Sequence, residues 1–138
     1  MAASKNVIVI WETGDRNEIP VAATKRLFQG AMAWLDASGY ATPTPGDTFL
    51  GHVTAEADNR TGLDGAIPAH LRYGRYRLQV AITGVALTDV GAPVYATDDN
   101  TYALVGTYQV GKVVRYVSAN LAVVEFTSPE ISADAGSA

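Results

Sequence analysis

Apolar and polar positions alternate along this chain in short runs, and most runs end at glycine, proline or an Asp/Asn cluster. That pattern predicts many short β-strands joined by turns. Residues 6–11 (Asn-Val-Ile-Val-Ile-Trp) are β-branched and apolar on both faces, which predicts a strand buried twice or covered on one side by a neighbouring chain. Residues 49–55, 109–117 and 121–126 read as further strands. Residues 71–80 alternate basic with aromatic or apolar side chains and predict one half-exposed strand, bulged at Gly74. Residues 36–40 and 97–101 carry hairpin-loop chemistry, prolines at 43 and 45 forbid a regular ladder over 42–47, and residues 58–68 form the longest loop. Residues 127–138 are small, polar and mildly acidic, as a flexible C-terminal tail would be.

One segment is ambiguous by pattern alone. Residues 21–35 have helical propensity and a rough helical period, but Gly30 stands in their middle. A weak internal repeat arbitrates. Gln29-Gly30-Ala31-Met32-Ala33-Trp34 answers Val90-Gly91-Ala92-Pro93-Val94-Tyr95 at an offset of 61 residues. Gly46-Asp47-Thr48-Phe49-Leu50-Gly51-His52-Val53 answers Gly106-Thr107-Tyr108-Gln109-Val110-Gly111-Lys112-Val113 at an offset of 60, and Asn59 answers Asn120. Pro93 and Val94 disfavour a helix interior in the second copy, so residues 31–36 are expected to form a strand entered through a turn at Gln29-Gly30. The expectation is an all-β fold, a compact barrel or sandwich of short strands built on a weak internal repeat. It comprises an N-terminal arm or strand over residues 1–18, the β-domain over 19–126 and the tail.

Composition narrows the function. A chain of 138 residues buries a sufficient core as one domain without metals or disulfides. Only 17% of its residues are charged against 48% hydrophobic, which points to apolar surface covered by other subunits and hence to a homo-oligomer. A net charge of −4 argues against general nucleic-acid binding. The absence of cysteine excludes disulfides and thiolate chemistry. No apolar run approaches the roughly 18 residues of a membrane span, and the first residues lack the apolar core of a secretory signal, so synthesis in the cytoplasm is expected.

Candidate chemistry is sparse. His52 and His70 are the only histidines and lie in no zinc-ligand spacing. His52 fills the slot of Lys112 in the other copy, which predicts a solvent-facing position. Asp98-Asp99-Asn100 offers oxygen ligands of the kind calcium takes, but the spacing of a calcium loop is missing and a hairpin tip explains the same residues. No phosphate-binding loop or nucleophile elbow is present. The sharpest charge feature is His70, Arg72, Arg75 and Arg77 interleaved with Tyr73 and Tyr76. Such a strand suits single-stranded nucleic acid, a charged sheet edge or an acidic partner surface, and the acidic balance of the chain favours the last two. The sequon Asn59-Arg60-Thr61, with no signal peptide before it, reads as accidental. No catalytic residue, metal ligand or cofactor site is expected, and the chain does not read as an enzyme.

The order and spacing of several segments resemble the head-decoration, or capsid cement, proteins of tailed bacteriophages, especially the Mu-like prophage type. The segments are Ile19-Pro20-Val21-Ala22-Ala23, residues 29–41 from Gln29-Gly30-Ala31 to Gly39-Tyr40-Ala41, residues 50–59, Leu87-Thr88-Asp89-Val90-Gly91-Ala92-Pro93-Val94-Tyr95, Asp98-Asp99-Asn100-Thr101 and Val110-Gly111-Lys112-Val113-Val114. Together they cover most of residues 19–126. The basic-aromatic stretch 71–80 and the tail depart from that pattern. The resemblance implies a virion protein on the outside of the phage head. It would be made in the host cytoplasm, assemble commonly as a trimer and bridge neighbouring major capsid subunits, with no membrane or nucleic acid as partner. Val7, Ile8, Val9, Ile10 and Trp11 are then the expected capsid-binding residues, a run suited to adding a strand to a neighbour's sheet edge. The alternative is another phage or bacterial β-module, such as a fibre, tail or carbohydrate-binding domain. Exposed rings at Trp34, Tyr73 or Tyr95 would favour sugar binding.

Overall fold

The computed structural model describes residue 2, residues 4–6 and residues 14–131. The expected capsid-binding run Val7 to Trp11 and residues 132–138 of the expected tail lie outside the described residues. The first half contains β1 (Arg16–Pro20), β2 (Arg26–Leu27), β3 (Met32–Leu35), β4 (Ala41–Thr42), β5 (Thr48–Ala55), β6 (Ala57–Asp58) and β7 (Pro68–Arg72). The second contains β8 (Gly74–Ala81), β9 (Pro93–Asp98), β10 (Thr101–Ala103), β11 (Tyr108–Ser118), β12 (Leu121–Ser128) and β13 (Glu130–Ile131), with one turn of 3-10 helix over Leu87–Asp89. They form three antiparallel sheets: β1-β7-β5-β3-β4 with β13 also on β5, then β10-β9-β11-β12-β8, and the pair β2-β6. The fold is all-β and sandwich-like rather than a closed barrel. No helix forms over residues 21–35; β3 follows the turn at Gly30, as the repeat predicts.

The weak sequence repeat is a strong structural one. Ala33 faces Gly51 and Trp34 faces Phe49 in the first sheet, and in the second Val94 faces Gly111 and Tyr95 faces Gln109. Each ladder skips one residue between these pairs, Leu50 and Val110, so the bulge is repeated too. The entry turns match bond for bond. Gly30 N–H donates to Val53 O at 2.8 Å and Gly91 N–H to Val113 O at 2.7 Å; Val53 N–H donates to Ala31 O and Val113 N–H to Ala92 O. Both entry glycines have left-handed backbone, φ +84° and +92°, which glycine adopts without strain. Strand by strand, β1, β3, β4, β5 and β7 correspond to β8, β9, β10, β11 and β12. The offset falls from 60 at Gly51/Gly111 to 53 at Leu71/Val124, so the first copy carries seven extra residues before β7.

The two sheets do not meet face to face by a two-fold. Each curls until its two edge strands, β1 and β4 or β8 and β10, nearly meet, through the parallel bridges Val21–Ala41 and Ile82–Tyr102. The hollow of the second sheet holds Val80, Ile82, Val94, Val113, Val124 and Phe126, and the outer face of the first closes it with Met32, Trp34 and Phe49. The hollow of the first sheet holds Ala33, Leu50, Val53 and Leu71, and is closed by its own β2, β6 and loop residues Leu27, Ala57 and Ile67. The longer connection before β7, with β6 and Ile67, thus supplies part of this cover, and β2, in a connection no longer than its counterpart in the second copy, supplies the rest.

Three expectations change. Residues 71–80 are not one bulged strand but the end of β7 and the start of β8, in different sheets, turning at Gly74 with φ +88°. Gly74 has no side chain to displace Gly14 O, which lies 3.1 Å from where a Cβ would sit. The expected arm over 1–18 ends earlier, because Arg16, Asn17 and Glu18 already pair with β7. The β-domain runs past Phe126: β12 continues to Ser128, whose Oγ–H donates to Leu50 O at 2.8 Å, and β13 pairs with β5.

Candidate functional site

The one buried titratable cluster among the described residues joins the two sheets. His52 sits in β5 within the apolar run Phe49-Leu50-Gly51-His52-Val53, and its face of the sheet also presents Met32 and Phe49. It is only 4% exposed, which overturns the solvent-facing position inferred from Lys112. The matching positions lie on matching faces, but the first sheet's outer face is covered by the second sheet, and the second sheet's outer face is not.

Inside, the imidazole bridges two tyrosines from opposite edges of the second sheet. Nδ1 lies 2.7 Å from the Tyr76 hydroxyl on β8 and Nε2 lies 2.8 Å from the Tyr102 hydroxyl on β10. A neutral imidazole has one N–H and one bare nitrogen, so it donates to one tyrosine oxygen and accepts from the other tyrosine O–H. Phe126 packs edge-on to the His52 ring at 4.6 Å and stacks with Tyr76 at 5.5 Å. Burial pulls the His52 pKa down to about 4 and pushes both tyrosine hydroxyls well above their ordinary range. All three groups are therefore neutral at neutral pH. They hold a curled sheet to its neighbour, and neither ring nitrogen is left to act on a substrate.

The other candidate residues stay apart. His70 is exposed on β7, with Nδ1 3.3 Å from Glu18 Oε1. Asp98 and Asp99 form the β9–β10 hairpin tip; Asp98 Oδ1 accepts the Asn100 N–H at 2.8 Å, a bond that lowers the Asp98 pKa, while burial raises that of Asp99. No three His, Cys, Asp or Glu side chains converge to hold a metal among the described residues. Asn59 is 2% exposed and its Nδ2 donates to the carbonyls of Ala22 and Leu63, so the sequon nitrogen is committed inside the fold. Trp34 is fully buried, while Tyr73 and Tyr95 are half-buried, which leaves no exposed platform from these three rings. Tyr102 has no signal in the pattern, and Tyr76 enters it only within the basic-aromatic stretch, not as a partner of His52. The available signal was His52 itself, a lone polar residue on an otherwise apolar strand. No protein-family model matches this chain, and no curated protein or solved structure matches it either.

Proposed function

We propose that this chain is a structural head-decoration protein of a tailed phage, which assembles on the outer surface of the head, as a trimer, and bridges major capsid subunits without catalysing a reaction. The observation that carries this reading is where the resembling residues fall. Gly30 and Gly91, with Val53 and Val113, are the positions at which the two sheets share turn, bulge and hydrogen bonds. The segments shared in order and spacing with that family are thus the ones that build this duplicated scaffold. The chemistry-bearing histidine serves cohesion between sheets, as a part under mechanical load requires. Leu63, Leu87, Val90 and Val105 are large, apolar and more than half exposed, and supply surface for contacts with the shell or between subunits.

Co-sedimentation with empty phage heads stripped of decoration protein tests the reading. The full chain should bind at a fixed ratio to capsid subunits and raise the temperature at which the heads rupture. A form lacking residues 1–11 should remain folded and fail to bind if the Val7–Trp11 run is the attachment element. Absence of the full chain from the head fraction would overturn the proposal, and a monomer at all concentrations, on and off heads, would overturn the trimer.

A further inference from the structure

At the open edge of the sandwich, where β7 gives way to β8, a cleft of about 440 Å³ lies between the sheets. His52 and Tyr76 are its buried floor, Thr54 and Leu78 belong to opposite walls, and Arg72 and Arg77 line it as well. Leu78 is on the inward side of β8, opposite Val124, yet 38% exposed. Arg72 is the unusual member. It faces Arg16 directly across the β1–β7 ladder, on the same side of the sheet, where like charges repel. Among the described residues neither guanidinium reaches a carboxylate. Arg75 and Arg77 on β8 share a single one, Glu125, at 3.5 and 3.2 Å. Four guanidiniums, Arg16, Arg72, Arg75 and Arg77, thus stand at one corner with three carboxylates, Asp15, Glu18 and Glu125, a local positive excess in a chain whose net charge is −4. The strand at that corner, β8, is the last of its sheet; beyond the Ile82–Tyr102 bridge to β10 at its far end, the outer side of Gly74–Ala81 has no ladder partner among the described residues.

We infer that this corner is a binding site for an extended acidic peptide segment of a partner chain. The segment adds to the free side of β8, sets a carboxylate against Arg72 and Arg16, and lays an apolar side chain on Leu78 in the cleft. Backbone pairing provides affinity in such strand addition, and the charge and the pocket provide selection. The inference stands whether or not the partner is a phage shell. Single-stranded nucleic acid fits the corner less well. It needs exposed rings on which bases stack, and the Tyr76 ring is buried with its hydroxyl on His52 while Tyr73 is half-buried.

Fluorescence anisotropy on the full chain tests this, with a labelled peptide of alternating valine and aspartate, its valine–asparagine analogue and a labelled oligo-dT strand as probes. The aspartate peptide should bind about ten-fold more tightly than the asparagine analogue, and R72Q and R16Q should each weaken it about ten-fold, the loss of one charge-assisted hydrogen bond. R60Q, whose guanidinium is engaged with Asp58 at 2.8 Å, should leave binding unchanged. Hydrogen exchange on the unmodified chain, which depends on no variant's folding, should show new protection within residues 74–81 when the aspartate peptide is added. Equal binding of the two peptides, binding insensitive to both arginine substitutions, no added protection in β8, or tighter binding of oligo-dT would each overturn the inference.

Discussion

His52 and Lys112 occupy matching positions in the two repeated sheets, opposite Met32 and Pro93, yet His52 is buried and Lys112 is exposed. The sheets stack in the same sense, so a face that is interior in one copy is exterior in the other. Met32, Trp34, Phe49 and His52 on the covered face become Pro93, Tyr95, Gln109 and Lys112 on the open one. A stack of repeats ends in solvent on a polar face of this kind.

Burying His52 gives the fold a defined acid sensitivity. Its pKa is about 4 in the folded chain against an ordinary 6.5, so between those values the unfolded chain binds the extra proton and the folded chain does not. Stability therefore falls as pH drops through that window, by roughly 3 kcal/mol in all, and this contribution levels off below pH 4. Urea midpoints at pH 7 and pH 4.5 read the effect. H52Q should be less stable at pH 7, because it cannot satisfy both tyrosine hydroxyls as the ring does, but should lose much less between the two pH values. An equal loss in both proteins would refute the assignment.

Gly51 and Gly111 hold the bulged strands against their neighbours. A Cβ at Gly51 would lie 2.0 Å from Arg72 O, and one at Gly111 would lie 2.4 Å from Glu125 O. Both obstacles are backbone, which cannot swing aside. G51A and G111A should each cost about 3 kcal/mol or more in denaturant unfolding. G30A, whose position has positive φ but open space, should cost about 1 kcal/mol. Similar costs at all three sites would show that conformation, not close approach, selects these glycines.

Trp34 carries a buried Nε1–H with no acceptor, while its ring packs on Phe49 at 5.9 Å. W34F keeps most of the ring and removes the unsatisfied donor, so its stability should change by less than about 1 kcal/mol. W34A, which leaves a cavity, should cost about 4 kcal/mol. Equal losses in W34F and W34A would mean that the indole N–H has a partner in solution.

Strands β3, β5, β11 and β12, the hairpin tips and the repeat were legible because alternation, glycine and proline act locally, whereas β1 and the two-residue strands β2, β4, β6 and β13 are too short or too polar to show a period. Pro93 in one copy even settled the conformation of Met32 in the other. The corner at Gly74 was not legible, since the alternation of residues 71–80 continues unbroken while the chain changes sheets. Nor was the burial of His52, because the repeat equates positions within a sheet and says nothing of what lies above it. Tyr76 and Tyr102 reach His52 only because the second sheet curls, a property of the whole ladder that neither residue's neighbours in sequence express.

The loop inserted before β7 makes the relation between the halves one-sided. Every residue of the smaller apolar cluster, from Val21 to Leu71, belongs to the first half, which therefore fills its own interior. The larger cluster needs Met32, Trp34 and Phe49 from the first half to complete the second. The half that leaves the ribosome first brings the filling of its own hollow with it, and its outer face is the surface against which the later half packs.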